Sequence, residues 1–139
     1  MPASDYHLVE QVPSIDVYLA LRQGAGLSPF SHAAAERGLK GTVFGVCIMQ
    51  GNDVIGMGRI IGDGGCFFQV TDVAVLPDHQ GRGLGKRIMA ALVGYLQDHV
   101  PATAYVSLIA DVPANRLYEQ FGFRETAPRS VGMAMKIVK

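Results

Sequence analysis

The chain has 139 residues, 12 basic and 12 acidic side chains and a formal net charge of zero. That is enough for one sizeable core, and it gives no electrostatic basis for holding a nucleic acid or another polyanion. With 49% hydrophobic and 17% charged residues the composition is ordinary for a globular domain, and no repeat, low-complexity tract or linker divides residues 1–139, so a single domain is expected.

In chain order, Tyr6 to Gln11 alternates as a first strand, and Pro13-Ser14 opens a helical stripe through Val17, Leu21 and Ala25. Pro29 and Ser31 end that segment, and a second helix is expected from Ser31 to Gly38. Thr42 to Gln50 and Asp53 to Ile61 read as two strands about a Gly51-Asn52 turn. After Gly62-Asp63-Gly64-Gly65, Cys66 to Leu76 reads as the third strand of this meander. Arg59 and Asp63 flank the turn, where they can pair weakly at the surface. Leu84, Ile88, Leu92, Tyr95 and Leu96 trace the core stripe of a long helix. Ala104 to Ala110 returns as a strand, a short helix follows, and Gly132 to Val138 reads as a last strand, with Gly122 to Arg124 as the start of another. The element order is β-α-α-β-β-β-α-β-α-β(-β), a mixed α/β chain of the α+β kind.

Cys47 and Cys66 are too few for a disulfide framework and stand at no metal-ligand spacing, so they are read as small core residues and no metal is expected. Met1 to His7 lacks the basic patch and apolar run of an export signal, and no stretch reaches the ~18 apolar residues that span a bilayer. A cytoplasmic location without a membrane partner is the expectation.

The strongest chemical signal runs from Val73 to Lys86, a buried-looking strand that turns into a glycine-studded helix start. The first N–H groups of a helix have no intrahelical partner, and the peptide dipoles add positive character there, so an anion is stabilised at that end. Gly81, Gly83 and Gly85 remove side chains that would keep a pyrophosphate from the main chain, while Arg82, Lys86 and Arg87 add charge. No Walker run occurs, and the Gly-x-Gly-x-Gly spacing is not the dinucleotide fingerprint. A second polar signal follows in Asp111-Val112-Pro113-Ala114-Asn115-Arg116-Leu117-Tyr118-Glu119-Gln120-Phe121-Gly122-Phe123. Asp111 can cap, Pro113 suits a first helical position and Gly122 stops the helix, which leaves Asn115 and Tyr118 one turn apart on one face.

Gln80-Gly81-Arg82-Gly83-Leu84-Gly85 resembles the Gln/Arg-x-x-Gly-x-Gly/Ala loop of the GNAT superfamily of acetyl-CoA-dependent N-acetyltransferases, and Asn115 to Phe123 resembles its Asn-x-x-Tyr-x-x-x-Gly-Phe segment. The element order is also that of the GNAT fold, which implies a central, largely antiparallel mixed sheet flanked by helices. Gly56 to Gly65 and Leu117 to Phe123 further resemble a small-GNAT subgroup labelled arylalkylamine-like. The resemblance implies that Gln80, Gly81, Arg82, Gly83, Leu84, Gly85 and Lys86 hold the coenzyme A pyrophosphate, that the backbone of Val73, Ala74 and Val75 pairs with pantetheine and faces the acetyl carbonyl, and that Asn115 orients the coenzyme. It implies for Tyr118 a hydrogen bond to sulfur or the role of general acid, for which a phenol protonated at neutral pH is suited. Homodimers are common for this fold.

An alkylammonium must shed a proton before its nitrogen can attack, and that proton needs an acceptor. Asp72, in the apolar run from Phe67 to Leu76, is the first candidate, with the role of a carboxylate bracing a neighbouring loop standing beside it. His79 lies within the phosphate turn, and His32 and Glu36 read as a solvated helix face. The resemblance, in which the N-terminal helices, the first hairpin and the last strands shape the acceptor pocket, implies Phe30, Met57, Phe67 and Phe68 as its lining. Apolar and aromatic walls without an acidic cluster suit the primary amine of a small apolar or aromatic acceptor. Two alternatives stand: acetylation of a protein or peptide terminus, and a non-catalytic acyl-CoA-binding module.

Overall fold

A computed structural model describes residues 5–139; part of the stretch read for an export signal, residues 1–4, lies outside the described residues. Five strands form one sheet in the order β1-β2-β3-β4-β5: β1 (Tyr6–Val9), β2 (Thr42–Gln50), β3 (Asp53–Gly62), β4 (Phe67–Val75) and β5 (Tyr105–Ser107). The first four pair antiparallel and β5 joins β4 in parallel, which gives the mixed sheet anticipated above. Helices α1 (Ile15–Gly24) and α2 (His32–Leu39) connect β1 to β2, α3 (Leu84–His99) connects β4 to β5, and α4 (Asn115–Glu119) follows β5.

Local chemistry sets these boundaries. Ser14 and Ser31 cap α1 and α2 by accepting from the N–H groups of Val17 and Ala34. Asp63 accepts from the N–H groups of Gly65, Cys66 and Phe67 and so closes the β3–β4 turn. Those backbone donors hold its carboxyl below the usual range. Asp63 therefore does not pair with Arg59, which turns inward. Cys47 is buried, with its thiol pushed up to about 11 by burial, whereas Cys66 is exposed at the turn instead of sitting in the core.

The sheet separates two apolar layers. Beneath α3, Leu84, Ile88, Met89 and Leu92 pack on Val46, Ile48, Ile60, Phe68 and Val70; burial of each large side chain contributes about 1.5–3 kcal/mol. On the other face Tyr18, Leu21 and Ala35 pack on Met57 and Ala74. Gly58 lets α3 approach the sheet, since a Cβ there would stand 2.5 Å from Ile88 Cγ2 and 3.1 Å from Leu92 Cδ1. Both side chains are fully buried, so Gly58→Ala is expected to cost about 1–3 kcal/mol by overpacking, seen as a melting point several degrees below that of the wild-type protein; an unchanged melting point would contradict this packing.

The C-terminal expectations fail. Residues 132–138 form no strand, and Val131, Met133, Met135, Ile137 and Val138 are exposed. Gly122 to Arg124 starts no strand either, and the strand expected over Ala104 to Ala110 contracts to Tyr105–Ser107. The cause is divergence: β5 pairs with Phe67, Phe68 and Gln69 alone, so residues beyond Ser107 have no ladder partner. Among the described residues no helix is long and apolar enough to cross a membrane.

Candidate active site

Between β3 and β4, Met57 pairs with Ala74 and Arg59 with Thr71, so Asp72 and Val73 together oppose Gly58. This is a β-bulge, and Asp72 takes φ +58°, a left-handed conformation that costs a non-glycine residue about 1–2 kcal/mol. The bulge inverts the alternation of the strand. Phe68 and Val70 face α3 before it and Val73 and Val75 after it, while Asp72 and Ala74 turn to the α1–α2 side. Because β5 leaves the sheet after Gln69, that edge of β4 has no ladder partner from Val70 to Val75 among the described residues. Val73, Ala74 and Val75 thus lie on an edge that no strand covers among the described residues.

The edge leads into the glycine turn. Gln80 Nε2 donates to the C=O of Val75 at 2.9 Å, which fastens the turn to the strand end. His79 is hydrogen-bonded through Nδ1 to the Tyr6 hydroxyl at 2.8 Å, and Arg82 donates to the same hydroxyl at 3.2 Å; His79 therefore belongs to the scaffold of the turn. Gly81 and Gly83 both have φ +77°, and a Cβ at either would meet nothing within 4 Å. The helical ladder begins with Arg87 N–H donating to Gly83 C=O, so the N–H groups of Leu84, Gly85 and Lys86 precede the first intrahelical bond. Open space, forward-pointing amides and the charges of Arg82, Lys86 and Arg87 fit a pyrophosphate.

At the other end of the open edge a pocket of about 220 Å³ is lined by Thr71, Asp72, Val73, Asp111 and Tyr118, with Arg22 and Leu27 at its side. Burial first, and the charge of Asp111 second, push the Tyr118 phenol above its ordinary value. Asn115 and Tyr118 also line an adjoining groove of about 460 Å³ with Ile109, Val112, Val131 and Met133. Asp72 is engaged on both oxygens: Arg22 Nη1 donates to Oδ1, and Arg59 Nε at 2.9 Å and Tyr18 Oη at 2.7 Å donate to Oδ2. Sequence reasoning gave Tyr18, Arg22 and Asp111 no part in the chemistry. Arg22, Arg59 and Asp72 are charges within apolar runs, and such charges need partners when buried; that was the available signal.

The expected acceptor lining is scattered. Met57 is fully buried in the layer under α1, and Phe68 is buried under α3. Phe67 is exposed at the far end of β4 beside Tyr105. Phe30, at 47% exposure, stacks on the Arg22 guanidinium 4.3 Å from its ring centre and alone of the four adjoins the site. His32 and Glu36 are exposed on α2. Among the described residues no three His, Cys, Asp or Glu side chains come together as metal ligands.

The acetyltransferase (GNAT) domain family matches residues 23–138. The chain belongs to that family. A Staphylococcus aureus protein of unknown function, called a probable acetyltransferase, superposes with a TM-score of 0.90 at 44% identity over 95% of this chain and 99% of that one. The [ribosomal protein bS18]-alanine N-acetyltransferase of Haemophilus influenzae is 25% identical over 122 residues, 85% of this chain and 82% of its own. The Escherichia coli ribosomal-protein-S18-alanine N-acetyltransferase shares the fold at a TM-score of 0.73 and 19% identity, over 88% of this chain and 79% of its own. GNAT enzymes use acetyl-CoA as acetyl donor, and the open glycine turn is compatible with its pyrophosphate.

Proposed function

We propose that this GNAT acetyltransferase moves the acetyl group of acetyl-CoA onto the primary amine of a small acceptor with an apolar or aromatic body, and that it does so in the cytoplasm. The observation that carries this is the meeting of the open β4 edge and Tyr118 in one pocket of about 220 Å³, the size of a small head group. The pyrophosphate lies on the amides of the Gly81 to Lys86 turn, and the backbone of Val73, Ala74 and Val75 holds the thioester and donates to the carbonyl oxygen as it gains charge. Amine nitrogen attacks the carbonyl carbon, the C–S bond breaks, the Tyr118 hydroxyl donates its proton to the departing sulfur, and the proton that the nitrogen sheds as the amide forms restores the phenol. Asn115 steadies the coenzyme. Of the two roles open for Asp72, the brace fits better, because both of its oxygens already accept from Arg22, Arg59 and Tyr18. Asp111 lines the same pocket and makes no ion pair among the described residues, which supports it as the group that takes the proton of the ammonium.

A second reading, acetylation of a peptide N-terminus, is favoured by the groove of about 460 Å³ that opens beyond Tyr118 and by the bS18-directed relative. Thiol release from acetyl-CoA against arylalkylamines, polyamines, amino acids and peptides separates the two. Turnover concentrated on arylalkylamines is expected; turnover on peptides alone would replace the first reading by the second.

A further inference from the structure

Asp72 joins parts of the chain far apart in sequence. Tyr18 and Arg22 come from α1, and Arg22 also donates through Nε and Nη2 to the C=O of Ser28, at 3.0 and 2.7 Å, in the connection to α2. Arg59 comes from β3 and donates from Nη1 to Thr42 Oγ1 at 2.6 Å and to the C=O of Gly38 at the end of α2. Tyr18, Arg22 and Arg59 all donate to one side chain, Asp72, whose own backbone forms the bulge. The Asp72 side chain is 2% exposed, and those of Arg22 and Arg59 are 9% and 8% exposed, so water cannot replace the partners if one is lost.

We propose that Asp72 is a positioning residue: its bonds to Tyr18, Arg22 and Arg59 hold the β4 bulge in its left-handed conformation and thereby fix the Val73 to Val75 edge against the helices that wall the acceptor side. This rests on the reading of that edge as the seat of the acetyl thioester. The bulge is what inverts the side-chain alternation of β4, and a left-handed aspartate has no reason to persist without bonds that reward it. The same joint ties the Arg22–Phe30 stack, and with it the α1–α2 connection, to the strand that holds the donor.

Calorimetric titration of wild type and Asp72→Asn with acetyl-CoA and, separately, with CoA tests this. The carboxamide keeps the shape but loses the charge that faces two guanidinium groups. The wild-type protein is expected to bind acetyl-CoA at least threefold more tightly than CoA; Asp72→Asn is expected to lose that preference, with CoA weakened less than acetyl-CoA because both share the pantetheine edge and the untouched phosphate turn and only the acetyl group is lost from register. A general loss of structure would weaken both ligands together. Tyr18→Phe, which removes one hydrogen bond and no charge, is expected to lose part of the preference and keeps the test open if Asp72→Asn does not fold. A wild-type protein that binds both ligands alike, variants that retain the preference, or a parallel loss of both affinities would overturn the proposal. Failure of the wild-type protein to bind either ligand would instead refute the coenzyme site itself.

Discussion

Gly83→Glu is expected to abolish acetyl-CoA binding while the protein stays folded. Gly83 is the N-cap of α3 with φ +77°, a conformation that costs a side-chain-bearing residue about 1–2 kcal/mol. A Cβ there meets nothing within 4 Å, so the first side-chain carbon makes no clash and the glutamate acts chiefly through its charge. A carboxylate about 4 Å from a phosphate oxygen in a surface dielectric of roughly 20 is repelled by about 4 kcal/mol, close to a thousandfold in Kd. Gly83→Ala supplies the strain without the charge and is expected to weaken binding about tenfold or less. Calorimetry on both variants, with melting points alongside, checks this; a glutamate variant that binds like the alanine variant would move the pyrophosphate away from this turn.

Tyr118→Phe is expected to lower kcat by about 10²–10⁴-fold, the range for losing a positioned general acid, with KM for acetyl-CoA within threefold. The ring and its packing survive, and only the proton donor is lost. Because burial and Asp111 hold the phenol above its ordinary value, the group stays protonated through neutral pH and the wild-type rate is expected to fall only above about pH 10. That basic limb should be absent from the residual activity of the variant. An unchanged kcat on an acceptor that supports turnover would remove Tyr118 from the chemistry.

Much of this site was legible because its signals are local. The glycine turn, the helix after it and the pairing of Asn115 with Tyr118 are each written within a few residues, and serines and glycines marked the helix ends. The Asp72 joint was not legible in the same way, since its partners lie 50, 54 and 13 residues away and are brought together only by the sheet register. The bulge did leave a mark, in the shift of the apolar positions from Phe68 and Val70 to Val73 and Val75 across Thr71-Asp72, but read as one continuous apolar run from Phe67 to Leu76 that shift is lost. Met57 and Phe68 were misplaced as pocket residues because alternation tells which side of a strand a residue faces and not what covers that side. Residues 131–138 show the converse limit. Val131, Met133, Met135 and Ile137 alternate as a strand does, yet β5 ends at Ser107 and offers them no ladder.

The most direct test of the account is a crystal structure of the protein with bound acetyl-CoA. Pyrophosphate oxygens are expected within hydrogen-bond distance of main-chain N–H groups between Gly81 and Lys86, pantetheine along the Val73 to Val75 edge, and the thioester sulfur within reach of the Tyr118 hydroxyl. Pyrophosphate seated away from the turn, or a sulfur remote from Tyr118, would contradict it.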